Sequence, residues 1–156
     1  MDAHIYIYIY GHEGIINSDD YQGGFQLTEV ENILGKIKTN FQAWAEEFTP
    51  IALGINDHIP LQKLIDSFKR MNQKAALPLA KMIFLGDQRH VLEHVKVPCT
   101  IIQGTKDKVV PIAVGDYMKS KLKGGTSLEY IENQAHFPQI TSPEKFIEII
   151  EKVLDK

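Results

Sequence analysis

Two short loops carry the residue types that chemistry would need. Asp107 lies in TKDKVVP (residues 105–111) and His136 in AHFPQ (residues 135–139). Each loop follows a run of strand-forming residues, so in a parallel sheet both would reach the same carboxyl edge and could meet. A buried carboxylate beside an imidazole fixes its tautomer and stabilises the imidazolium formed when the ring takes a proton. Such a pair activates a hydroxyl nucleophile, with the acid preceding the base in the chain. The hydroxyl itself is not evident. No G-x-S-x-G elbow occurs, and none of Ser18, Ser67, Ser120, Ser127 or Ser142 has a glycine-flanked strand-to-helix setting. Without a positioned hydroxyl the histidine has nothing to activate, and without oxyanion donors a tetrahedral intermediate loses about 3 to 4 kcal/mol of stabilisation. Acyl transfer by this chain unaided is therefore not expected.

The elements that must hold these loops can be read from periodicity. HIYIYIY (residues 4–10) alternates isoleucine with tyrosine and predicts a strand. A Gly- and Asp-containing loop follows, ending in YQGGF (residues 21–25). Thr28 and Glu31 suggest a capping box, and Val30, Ile33, Leu34, Ile37, Phe41 and Trp44 recur at three and four residues as one apolar stripe, punctuated by Pro50 and Gly54. A second helical pair is expected over residues 60–71 and 73–85, with Pro78 near a helix start or kink, and a short helix over 87–95. The pattern then changes to strand, helix, strand, helix: VPCTIIQ, residues 111–122, SLEYIE and residues 143–154. That alternation predicts a parallel sheet. In the last helix Ser142 reads as the cap, Pro143 as the first residue, and Phe146, Ile149, Ile150, Val153 and Leu154 as the buried stripe. Helices inserted between strands suggest a lid over the carboxyl edge. The expected organisation is a first strand and loop (residues 1–26), a helical lid (27–86) and a second core segment bearing both loops (87–156).

The 156 residues, 44% of them apolar, suit one folded domain. A net charge of −3, with basic residues interspersed among acids, argues against a nucleic-acid surface. The single cysteine, Cys99, sits in an apolar run and reads as a buried thiol in a reducing compartment. No segment reaches the roughly 20 apolar residues that a membrane-spanning helix needs, and no signal-peptide pattern opens the chain. A soluble protein of the cytoplasm or nucleus is the expectation, with no membrane association.

The stretches DYQGGF, NFQAWAEEF, VKVPCTIIQGTKDKVVP and AHFPQITSPE resemble the plant strigolactone and karrikin receptor family of α/β-hydrolases, and similar bacterial stress-regulator hydrolases. The similarity runs from about Ile5 to Leu154. It implies a partial α/β-hydrolase fold of three parallel strands, equivalent to strands 6, 7 and 8 of the family, with flanking helices and a four-helix lid. It implies the catalytic acid position for Asp107 and the base position for His136. It implies ligand contacts for Trp44, Phe48, Phe84 and Val109, and for Ile33 and Leu64, whose stripe spacing is equally that of helix packing. The activity implied is serine-dependent ester or lactone hydrolysis and small-molecule perception, without a cofactor. Two departures are specific to this chain: Lys108 replaces an apolar residue after the acid, and Ala135 replaces the glycine before the histidine, which would strain the loop if a positive φ were needed. On this alignment the family's first five strands, oxyanion loop and serine elbow lie upstream of His4, as they would for a truncated reading or a remnant.

Other readings stay open. His90, Glu93 and His94 spell H-x-x-E-H, the inverted zinc-peptidase pattern, although Pro98 closes the segment soon after and no acidic third ligand is evident. A non-enzymatic, lid-bearing binding fragment is another, since the resemblance implies that family lids dock signalling proteins. The strand bounded by His4 and Tyr10 would offer an apolar, uncharged edge to a second chain, so self-association is expected there.

Overall fold

A computed structural model describes residues 6–9 and 14–155. His4 and Tyr10, at the ends of the first predicted strand, lie outside the described residues; the strand itself, β1, spans Tyr6–Ile9. Four helices follow: α1 (Leu27–Thr39), α2 (Phe41–Leu53), α3 (His58–Lys69) and α4 (Gln73–Leu85). A 3-10 turn over Arg89–His94 leads into β2 (Cys99–Gly104), α5 (Ile112–Lys121), β3 (Thr126–Ile131), a short α6 (Pro138–Thr141) and α7 (Pro143–Leu154). The three strands form one parallel sheet in the order β1-β2-β3, with Tyr6 paired to Cys99 and Cys99 to Thr126. The partial α/β-hydrolase architecture expected from the sequence is the one observed.

Local chemistry moves several boundaries. The α1 cap lies two residues before the expected Thr28–Glu31 box: Gln26 is the N-cap, and its backbone N–H donates to Glu29 Oε2 at 2.7 Å. The long apolar stripe is cut at Asn40, whose side chain accepts from the Ala43 amide at 3.1 Å and starts α2 as a separate helix. Pro50 sits within α2 rather than ending it, and Gly54, at φ 63°, supplies the left-handed cap. Pro78 lies inside α4. In α7 the buried face holds Phe146 and Val153, whereas Leu154 is 63% exposed because the helix ends there without a packing partner.

Besides a small cluster of Ile102, Ile131 and Phe146 under α7, two larger hydrophobic cores meet among the described residues. One lies on the sheet, where Ile101, Val110, Val114 and Met118 pack with the buried Cys99; the other lies among α1, α2 and α4, around Val30, Ile37, Trp44, Ala45 and Phe84. Phe25 and Phe48 pack against both, so they hinge the helices to the sheet. Both rings are partly buried, so each contributes less than the roughly 1.5 to 3 kcal/mol of a fully buried phenylalanine.

Candidate active site

The acid loop leaves β2 and the histidine loop leaves β3 at the carboxyl edge of the sheet. Gly104, the last residue of β2, allows the loops to touch: a Cβ there would lie 2.4 Å from the Ala135 carbonyl oxygen. The loops are then stitched together. The Lys106 amide donates to the Gln134 carbonyl at 2.8 Å, and the Asn133 amide donates to Thr105 Oγ1 at 2.9 Å. Asn133 takes the left-handed conformation of the turn, at φ 61°. Ala135 has no positive φ, so its departure from glycine imposes no backbone strain.

Asp107 is bound on both oxygens. Oδ1 accepts the Val109 and Val110 amides at 2.7 and 2.9 Å, and Oδ2 lies 2.8 Å from His136 Nδ1. An ionised carboxylate only accepts, so the contact fits the tautomer in which Nδ1 donates to Asp107. Both side chains are 6% exposed. The His136 backbone amide donates to the Ala52 carbonyl at 2.9 Å, and its ring meets Phe137 edge-on at 5.1 Å.

Gln103 is a further part of this assembly that the sequence reading did not single out. It is buried in β2, and its Nε2 donates to the Val110 and Pro111 carbonyls, each at 3.0 Å. It therefore holds the far end of the loop whose near end is folded around Asp107. A long polar side chain in a strand whose other residues are Cys, Thr, Ile, Ile and Gly was the available signal.

A cleft of about 320 Å³ opens where the helices meet the acid loop, lined by Phe25, Ile33, Trp44, Phe48, Ile51 and Val109 with Glu29, Asn32, Lys36, Glu47 and Lys108. Of the six residues expected at a ligand, Trp44, Phe48, Val109 and Ile33 come together here. Trp44 and Phe48 stack at 4.9 Å, their rings 14° from parallel. Phe84 lies deeper in the helical core, edge-on to Phe25 at 6.4 Å, and Leu64 is half-buried on α3 away from this lining.

The serines fall elsewhere. Ser18 Oγ donates to Asp20, Ser120 Oγ to the Tyr117 carbonyl, and Ser127 shares a hydrogen bond with Thr100. Ser67 is exposed on α3, and Ser142 takes the N-cap position of α7 without a side-chain cap bond. His90, Glu93 and His94 occupy a 3-10 turn, where His94 Nδ1 faces the His90 carbonyl at 3.2 Å and Glu93 pairs with Lys121 at 3.4 Å. That winding does not set the two histidines side by side as an α-helix would. Among the described residues no group of three or more metal-ligating side chains is gathered.

No family model matches the chain. It is 35% identical over 136 residues to a karrikin insensitive 2 receptor of Petunia hybrida, covering 86% of this chain and 50% of that protein. It is 30% identical over 141 residues to a strigolactone esterase of Arabidopsis thaliana, covering 90% and 53%. The chain thus spans about half the length of the curated relatives it matches. Among solved structures, a hydrolase from Oleispira antarctica superposes with a TM-score of 0.85 at 26% identity, covering 92% of this chain and 54% of that one. In sequence the chain is thus similar to the strigolactone and karrikin receptors over about half of their length, and its fold is a partial α/β-hydrolase fold.

Proposed function

We propose that this chain supplies the acid–base half of a serine-hydrolase-type site for an apolar ester or lactone, together with the helical cover that receives the ligand. The observation that carries the reading is the buried 2.8 Å contact between His136 Nδ1 and Asp107 Oδ2. In the mechanism, His136 Nε2 takes the proton of a hydroxyl nucleophile and later returns it to the leaving group, while Asp107 holds the ring and offsets its positive charge. The hydroxyl and the oxyanion donors come from a nucleophile-bearing partner or from further residues of a longer protein. Helices α1 to α4 form the cover, and their cleft beside Val109 is the ligand chamber.

The test is turnover of p-nitrophenyl acetate, with and without the amino-terminal half of the Petunia receptor added in trans. We expect no phosphonate-sensitive turnover from this chain alone. With the added half, we expect phosphonate-sensitive turnover that His136→Ala removes. Complemented turnover indifferent to His136→Ala would sink the proposal, and so would phosphonate-sensitive hydrolysis by the chain alone.

A second reading, ligand binding without hydrolysis, draws on the same cleft, whose apolar lining is complete without a nucleophile. A saturable ligand response with no turnover in either arm would favour it.

A further inference from the structure

We infer that the cleft between the helices and the acid loop selects an amphipathic monocarboxylate, its apolar body against Trp44 and Phe48 and its anionic head at Lys108. The inference rests on the proposed reading of that cleft as the ligand chamber and adds the charge of the ligand. The floor is apolar: Phe25, Trp44, Phe48 and Val109 line a space of about 320 Å³. Four charged side chains stand around it, and three are already committed. Lys36 Nζ pairs with Glu47 Oε2 at 2.5 Å across α1 and α2. Glu29 Oε2 accepts the Gln26 amide at the first turn of α1, where the helix dipole also favours a negative charge. Lys108 is exposed at the opposite wall and has neither an ion pair nor a side-chain hydrogen bond among the described residues.

The charges are thus arranged with a direction. Both carboxylates belong to the helical wall and both are occupied, whereas the uncommitted cation stands on the acid loop, one residue from Asp107. A neutral apolar ligand would leave Lys108 idle, and a cationic one would meet its repulsion. A ligand with one carboxylate satisfies the ammonium while its hydrocarbon covers the stacked rings. Entered head-first, its charged end lies beside the loop that holds the Asp107–His136 pair.

Trp44 is the only tryptophan of the chain and lines this cleft, so its emission responds to occupancy there, and dependence on Lys108 separates that response from the smaller apolar cavity that Trp44 also borders with Phe41 and Phe68. The experiment titrates the protein with sodium octanoate, 1-octanol and octylammonium chloride, which share one hydrocarbon body and differ in head charge. Octanoate is expected to perturb Trp44 saturably and to bind about fivefold more tightly than octanol, the worth of one partly exposed charge pair. Lys108→Met should erase that preference, bringing octanoate to the affinity of octanol or below it, whereas Lys108→Arg should keep it. Circular dichroism of both variants, altered at an exposed position, checks the fold. Equal binding of octanoate and octanol, or tightest binding of octylammonium, overturns the charge assignment while leaving the chamber intact. No Trp44 response to any of the three overturns the chamber as well, independently of the turnover assay.

Discussion

The Ala52 carbonyl, in the last turn of α2, accepts the backbone amide of His136 at 2.9 Å. The imidazole is therefore fixed from two directions: its Nδ1 by the acid loop of the sheet, and its backbone by the end of a helix that lines the cleft with Trp44 and Phe48. A shift of α2 on ligand entry would be felt at the base through a single hydrogen bond.

Gly54 seals that junction. Its φ of 63° suits glycine, and an added Cβ would lie 2.7 Å from Ala135 Cβ. Gly54→Ala should cost about 2 to 3 kcal/mol, combining the left-handed backbone with overpacking. In urea denaturation, Ala135→Gly added to Gly54→Ala should recover the steric part; strictly additive losses would show that the contact does not matter.

Removing the acid should do more than delete one contact. Asp107→Ala strips the acceptor from the Val109 and Val110 amides and from His136 Nδ1, so a loss of about 2 to 3 kcal/mol is expected. Asp107→Asn should keep most of the stability yet present an amide donor to Nδ1, reversing the ring tautomer. Nitrogen-15 shifts of His136 distinguish the two, and an unchanged tautomer in Asp107→Asn would contradict the assigned geometry.

Gln103 offers a separable effect. Gln103→Leu frees the Val110 and Pro111 carbonyls and should destabilise by about 1 to 2 kcal/mol. Amide exchange should accelerate at Val109 and Val110 and hardly change in the β2–β3 ladder. Uniform acceleration across the sheet would mean that Gln103 supports the core and not the loop.

Acid sensitivity should come in part from the turn before β2. The Arg89 side chain, hydrogen-bonded to Asp87 with a 2.7 Å contact between Nη2 and Oδ2, holds that carboxyl below its usual range, against a smaller opposing effect of burial. Because the folded value is the lower one, its stabilisation is present above the ordinary carboxylate range and is lost as pH falls through the folded value. Asp87 is half exposed, so the contribution should be below about 1 kcal/mol. Asp87→Asn should flatten the fall in melting temperature below about pH 4. An unaltered slope would mean that other carboxylates dominate.

The sequence showed strands and the last helix because apolar period and flanking turn residues agree there: Pro143 opens α7 where expected, β2 runs one residue past VPCTIIQ, and β3 starts one residue before SLEYIE. It also put Asp107 and His136 at one sheet edge provided that the strands were parallel, as β2 and β3 are. What periodicity could not show was the break at Asn40, because Ile37, Phe41 and Trp44 keep the same spacing across it while a side-chain cap ends one helix and starts another. Nor could it separate Phe84 from Trp44, as both sit on apolar stripes and only tertiary packing decides which ring faces the cleft. The role of Gln103 depends on two backbone carbonyls brought near it by the acid loop, a contact with no local pattern.

The Asp107–His136 contact spans only 29 positions in sequence and closes over one helix and one strand, α5 and β3. Its loop-closure entropy is correspondingly small, so the Asp107–His136 pair is a low-contact-order element that can form early in folding. During synthesis from the amino-terminus, α1 to α4 are made first and wait for this unit. The hydrogen bond from the His136 amide to Ala52 can close only once this unit exists, so it ties the helices to a pair that is already local in sequence.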